Sequence, residues 1–327
     1  MAKRIEFDAP GGTDVLVYRD FTPVDPAPGE VQVENKAIGV NYIDTYFRSG
    51  LYPAPVSPSG VGSEAAGVVV KTGANVKHIK VGDRVVYGQS PLGAYSEIHN
   101  VPEEKLAILP DGISFETAAA CFMKGLTAFY LLRKTYEVKA GEVFLFHAAA
   151  GGVGQIACQW AKALGAKMIG TVGSDEKAQK AKAAGAWETI NYNKEDIVER
   201  VLALTDGEKV GVVYDSVGKD TWLPSLDCLK RRGLMVSYGN ASGPVTGVDL
   251  GILNKKGSLY VTRPSVFGYI TNREELNEAS KAIFDLILSG KLTISIPADQ
   301  VYPLKDAALA HKRLEGRATT GSSILIP

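Results

Sequence analysis

Cysteine is scarce in this chain: Cys121, Cys158 and Cys228 are its three in 327 residues. Odd in number and widely spaced, they exclude a disulfide framework and fit a reducing compartment. Each reads as a small buried hydrophobe. Excess charge is also missing, since Lys plus Arg and Asp plus Glu both number 36 and the pI is near 6.9. No global field therefore draws in nucleic acid or an anionic membrane, and no basic stripe is interleaved with aromatics. No apolar run reaches the length of a membrane span. The opening residues, MAKRIEFDAPGG, lack the apolar stretch of a secretory signal. Internal repeats and low-complexity tails are absent. The four histidines, His78, His99, His147 and His311, show no paired metal-ligand spacing and read as surface or core residues. These absences point to a soluble, cytoplasmic, metal-free protein with no nucleic acid as main partner.

Glycine, by contrast, is plentiful at 35 of 327, or about 11% against roughly 7% in average proteins. That suits a fold with many tight turns, and the length suits two domains. The informative stretch is residues 143–154, VFLFHAAAGGVG. Val143, Phe144, Leu145 and Phe146 form an all-apolar run, as in a strand buried on both faces of a parallel sheet. A glycine-rich turn follows, then a helical pattern with Val153, Ile156, Ala157, Trp160 and Leu164 on one face and Gly165 as its stop. In a dinucleotide-binding strand–turn–helix unit the glycines permit a tight reversal, an approach to pyrophosphate and close helix packing. Here Ala148 stands in place of the usual first glycine, in Ala148-x-x-Gly151-x-x-Gly154. Taken alone, such a motif is also what an ordinary tight turn would show.

Context strengthens it. Up to about residue 113 the chain reads as short strands, with candidates at 15–20, 30–39, 64–72, 84–87 and 94–100. A helical stretch, 114–136, carries a break at Gly125. Then strands near 143–147, 167–172, 188–191, 210–214, 233–238 and 259–262 alternate with helical segments, which implies a parallel sheet covered on both faces. A helix from Asn272, another over 304–315 and a terminal strand over 323–326 complete the chain. The expected class is α/β. A β-rich domain over 1–124 and 266–327 accompanies a doubly wound Rossmann domain over 125–265, with the active site in the cleft between them.

The cofactor follows from the end of the second strand. NAD-specific units place a carboxylate there for the ribose hydroxyls, whereas this chain has Gly173 and Ser174, with Lys177 one turn into the next helix. Loss of a repulsion and gain of an ammonium both favour NADPH. Asp175 beside them works against that preference, and Lys177 also reads as one of several surface lysines, with Lys180 and Lys182.

Residues 141–162, GEVFLFHAAAGGVGQIACQWAK, resemble the signature of the quinone oxidoreductase and zeta-crystallin family through Ala149, Ala150, Gly151, Gly152, Gly154, Gln159 and Lys162. The likeness spans essentially the whole chain and is greatest to the bacterial NADPH:quinone reductases, a zinc-free branch of the medium-chain dehydrogenases and reductases. It implies a GroES-like first domain, a homodimer and NADPH-dependent quinone reduction. Where zinc-dependent members carry a ligating Cys and His, this chain has Asn41 and Ser63, with the third position near Met123. Neutral amide and hydroxyl groups are poor zinc ligands. Without a Lewis acid, simple alcohols are poor substrates, while a quinone or enone accepts electrons with less help.

By the same resemblance Asn41, Tyr42, Ile43, Asp44 and Tyr46 line the nicotinamide end. Asn41 would hydrogen-bond cofactor or acceptor, Asp44 would orient neighbours, and Tyr46 and Tyr52 would pack on a flat quinone; both tyrosines also fit ordinary rim packing. Thr127 and Tyr130, three apart on the expected helix, share a cofactor-facing side. Gly152 and Val153 would present backbone to the pyrophosphate, and Gly173, Ser174, Lys177 and Tyr192 would surround the 2′-phosphate. The strand-end turns at Ser216 and Val217, and at Tyr238, Gly239, Asn240 and Ala241, belong to the same edge. Arg263, Pro264 and Ser265 would approach the nicotinamide and Arg317 the adenosine. Reduction of enones or alkenals is the alternative enzyme reading. A non-catalytic NADPH- or RNA-binding role is the alternative of another class.

Overall fold

Alternating apolar strands and amphipathic helices after residue 140 leave each strand two faces to bury, and a parallel sheet covered by crossover helices buries both. The computed structural model describes residues 1–327, which fold as two units: Met1–Leu126 with Ile270–Pro327, and Thr127–Tyr269.

The second unit contains six parallel strands: β9 (Val143–Phe146), β10 (Lys167–Val172), β11 (Glu188–Asn191), β12 (Val210–Asp215), β13 (Leu229–Ser237) and β14 (Tyr260–Thr262). Their order is β11-β10-β9-β12-β13-β14, the doubly wound arrangement whose direction reverses beside β9. Leu145, Ile169, Val213 and Met235 are wholly buried between the covering helices. Helix α3 (Gly152–Leu164) ends on Gly165 at φ +72°, as its pattern requires. It buries Ile156, Ala157, Cys158, Trp160 and Ala161, while Val153 and Leu164 are half-buried at the edges of the expected face. Strand β13 starts four residues early, because a register shift loops out residues 230–233 with Arg232 at φ +62°.

The first unit is built on β3 (Glu30–Val40), whose neighbours are β5 (Ala65–Thr72), β7 (Ile98–Pro102) and the terminal β16 (Ser323–Ile326). Antiparallel pairing of Ser323 with Val40 returns the chain end to this sheet. Helix α1 (Tyr42–Ser49) starts at Asn41 and stops at Gly50, φ +83°. Two expectations shift. The strand placed at 94–100 lies at 98–102, because Tyr95 turns inward and donates its hydroxyl to Asp44 at 2.9 Å. The expected break at Gly125 does not occur. Helix α2 (Phe115–Phe129) runs through it, and a Cβ there would sit 3.0 Å from Ile283 Cδ1, so this glycine serves packing. The helix instead widens at Tyr130–Thr135 into one π-helical turn, which begins just after the α-helical Thr127–Phe129 segment.

At the turn after β9, Ala148 holds φ +56°, the left-handed conformation a glycine would adopt without strain. A Cβ on Gly154 would meet the Ala148 carbonyl oxygen at 2.4 Å and the Ala149 carbonyl carbon at 2.7 Å. The last glycine of the motif is thus fixed by backbone contact. Ala148→Gly is expected to raise unfolding free energy by on the order of 0.5–1 kcal/mol, the released strain less the added unfolded-state entropy. Urea denaturation compares the two proteins; equal midpoints would show that Ala148 is unstrained.

Candidate active site

At the carboxyl ends of the parallel strands four turns collect. The first turn of α3 contains no acidic residue, and its N-cap, Gly151, supplies no side-chain bond, so its N–H groups and positive dipole end suit an anion. After β10, the Ser174 hydroxyl accepts the Lys177 N–H at 3.2 Å and caps α4 (Asp175–Ala183), which keeps Ser174 and Lys177 together. Asp175 is occupied: Lys194 Nζ lies 2.5 Å from one oxygen and Asn191 donates to the other at 2.7 Å. These bonds hold its carboxyl below the usual range. The charge of this carboxylate is therefore met by Lys194 and Asn191. Tyr192, exposed, lies against Gly173, where a Cβ would come within 2.5 Å of the phenol oxygen.

The turns after β12 and β13 are joined, with Ala241 N–H donating to Ser216 O at 3.1 Å and Tyr238 N–H to Asp215 O at 2.8 Å. A Cβ on Gly239 would lie 2.4 Å from Ser216 O. The Arg263 guanidinium donates to Ser237 O at 2.9 Å and Gly239 O at 3.3 Å; with the Asn240 amide oriented to satisfy both its ends, Asn240 accepts from Arg263 as well. Arg263 thus braces the turn. Pro264 is buried and Ser265 accepts from Phe267 N–H. Tyr130 is buried in a stack on Tyr269, 4.9 Å between centroids, while Thr127 is half-buried.

In the first unit Tyr42, Tyr46 and Tyr52 form a chain of edge-on contacts, with centroids 5.5 and 5.2 Å apart. Ile43 is half-buried beside them. Arg317 is exposed at φ +57° after α10 (Ala307–Glu315), near enough for its charge to act on the Tyr42 phenol. Beneath α1 lies a buried polar cluster. Asn41 donates its amide to Glu64 Oε2 at 2.5 Å, Met123 N–H donates to Glu64 Oε1 at 2.6 Å, and Lys124 Nζ lies 3.6 Å from Glu64 Oε2. Glu64 is wholly buried and Gly39 makes its room, since a Cβ there would come within 2.1 Å of Oε2. Burial pushes the Glu64 carboxyl up, and the Lys124 charge opposes that. Burial also pushes Asp44 up to about 7, against the pull of the Asn41 N–H and the Tyr95 hydroxyl.

Glu64 and Lys124 carry no role in the sequence reading. The signal available was a lone lysine in the otherwise apolar run AAACFMKGLTAF. Of the expected zinc-ligand positions, Asn41 and Met123 meet at the Glu64 carboxylate beside the Lys124 ammonium, while Ser63 is buried next to Glu64 in the chain. That set does not fit a dication: both oxygens of the one carboxylate already accept hydrogen bonds, the neutral groups are weak ligands and the ammonium repels.

Two family models match: an alcohol dehydrogenase GroES-like domain over residues 27–111 and a zinc-binding dehydrogenase over 152–285. A quinone oxidoreductase of Salmonella typhimurium is 70% identical over the whole length of both chains. The chain belongs to the quinone oxidoreductase family. A 2-haloacrylate reductase of a Burkholderia species is 46% identical, covering 97% of this chain and 96% of that one. The crystal structure of Escherichia coli quinone oxidoreductase complexed with NADPH superposes with a TM-score of 0.99 at 68% identity, over 100% of each chain. The fold is accordingly a GroES-like domain with a Rossmann domain, as expected from the sequence.

The raised Asp44 has a measurable consequence. Between the unfolded carboxyl value near 4 and the folded value near 7, the folded protein holds a proton that the unfolded chain has released. Proton release from the unfolded chain therefore draws down stability progressively as pH rises through that window, until Asp44 ionises in the folded protein too near pH 7. Asp44→Asn removes the titration, so its stability relative to the parent is expected to improve by roughly 2–3 kcal/mol between pH 5 and pH 8. Urea melts at both pH values test this; a pH-independent difference would show that Asp44 is not the titrating group.

Proposed function

We propose that this protein is a zinc-independent, NADPH-dependent reductase of quinones. The observation that carries the reading is the end of β10. A capped Ser174–Lys177 pair stands where an NAD-specific carboxylate would, in a chain 68% identical to an NADPH-bound quinone oxidoreductase. The cofactor, when bound, supplies the hydride. Gly152 and Val153 offer uncapped backbone N–H groups to the pyrophosphate, and Gly173, Ser174, Lys177 and Tyr192 hold the 2′-phosphate end. The turns at Ser216 and Val217, and at 238–241, shape the floor for the nicotinamide half. Arg263 keeps that floor rigid, followed by Pro264 and Ser265. Thr127 and Tyr130 complete the cofactor wall, and Arg317 is read toward the adenosine. Asn41 is read as contacting cofactor or acceptor, with Tyr42 and Ile43 beside it, Asp44 as its orienting neighbour, and Tyr46 and Tyr52 as packing on a flat ring.

Reduction of activated alkenes is the second reading, favoured by the 46% identity to the 2-haloacrylate reductase. We further infer a homodimer in a reducing cytoplasm, without nucleic acid as main partner. Edge strand β14 leaves its outer side unpaired with Tyr260 and Val261 exposed, the three buried cysteines are free thiols, and the charge balance is zero. No helix is long and apolar enough to cross a membrane.

Loss of reduced-nicotinamide absorbance with chelator-treated protein is expected with NADPH and a quinone, and not with NADPH and a simple aldehyde. Turnover of an enone alone would move the substrate to the second reading. NADPH that binds without any turnover would point to a non-catalytic role. Lys177→Ala is expected to raise KM for NADPH about tenfold, the size of one charge-assisted contact, and to leave KM for NADH unchanged. Equal rises for both cofactors would remove Lys177 from the phosphate site.

A further inference from the structure

His147 ends the apolar run of β9 and is wholly buried, yet each ring nitrogen has a partner: Nδ1 lies 2.9 Å from Thr171 Oγ1 and Nε2 lies 2.9 Å from Ser225 Oγ. Ser225 donates its hydroxyl to Asp215 Oδ2 at 3.0 Å, and Thr221 donates to the same oxygen at 2.7 Å. The other Asp215 oxygen accepts from Val217 N–H at 2.7 Å and Gly218 N–H at 3.0 Å. A serine hydroxyl has one hydrogen, and Ser225 gives it to Asp215, so Ser225 accepts from His147. His147 therefore carries its proton on Nε2, and the bare Nδ1 accepts from Thr171. Burial keeps the imidazole neutral by lowering its pKa, with Asp215 opposing. The hydrogens run in one order: Thr171 to His147 to Ser225 to Asp215.

The chain's position gives this order a use. Thr171 lies two residues before Gly173, His147 one before the strained Ala148, and Asp215 one before Ser216. Thr171 O also accepts the Ala149 N–H at 3.0 Å, and His147 N–H donates to Tyr214 O at 3.0 Å. The carboxyl ends of β10, β9 and β12 are thus tied, side chain to side chain, directly beneath the three turns that follow them. An apolar residue at 147 would fill the space without tying anything.

We propose that His147, as the neutral Nε2–H tautomer, is a positioning residue for the dinucleotide: with Thr171, Ser225 and Asp215 it fixes the three phosphate- and nicotinamide-facing turns in one relative register. The inference rests on those turns being the NADPH site. Its effect is on binding, since the four side chains spend their hydrogen bonds on one another and on the backbone beneath the turns. Because the two outer hydroxyls act through one imidazole, their contributions are coupled.

The test measures NADPH dissociation constants by fluorescence titration, with kcat at saturating NADPH, for Thr171→Val, Ser225→Ala, the double variant and Thr171→Ser. Each single loss is expected to raise Kd about tenfold with kcat within twofold, the double variant to match the worse single one, and Thr171→Ser to restore binding. The 15N spectrum of the imidazole should show a protonated Nε2 and a bare Nδ1. Variants with lowered melting temperature but parental Kd, multiplicative effects in the double variant, or the opposite tautomer would each overturn the proposal. Parent protein that fails to bind NADPH would instead overturn the cofactor reading on which it rests.

Discussion

The approach of helix α3 to the turn after β9 is the constraint on which the nucleotide-binding unit depends. Gly154 lies so close to Ala148 and Ala149 that no side chain fits between them. The helix axis is thereby aimed with its N-terminus at the turn, and the strands on both sides take their register from β9. Ala148 accepts a left-handed backbone to make that approach possible. Strain at one residue and bare backbone at another together create an anion-receptive edge before any charged side chain is added.

Charge in both units is then used locally. In the nucleotide-binding unit Asp175, next to Ser174, has its charge met by Lys194 and Asn191. In the other unit Glu64, unexposed, is supported by an amide, a backbone N–H and the Lys124 ammonium. A buried carboxylate is tolerated when its oxygens are satisfied and a cation lies near. At the positions expected for zinc ligands the chain builds an organic ion cluster around Glu64 instead. Orienting Asn41 is within reach of that cluster; coordinating a dication is not.

Much of the architecture was legible along the chain. Strand and helix periods located the six parallel strands to within a few residues, and the terminal strand at 323–326 without error, because a strand buried on both faces has to be apolar throughout. Local signals misled where a distant contact intervened. Tyr95 and Ser96 looked like strand, but the Tyr95 hydroxyl is drawn to Asp44. Gly125 looked like a helix break, but Ile283, 158 residues later in the chain, occupies the space its missing side chain leaves.

The sequence by itself determined the class of fold, the glycine-rich turn after β9, the absence of a carboxylate after β10 and the unsuitability of Asn41 and Ser63 as zinc ligands. Each of these is set by residue type at short spacing. Only tertiary structure decided the partners of Asp175, the Glu64–Lys124 pair, the bracing role of Arg263 and the hydrogen-bond order through His147. Those depend on side chains brought together across tens of residues, where burial fixes which donor meets which acceptor. A lone lysine in an apolar helix and a lone histidine at a strand end mark that something polar is buried, and the fold alone names its partner.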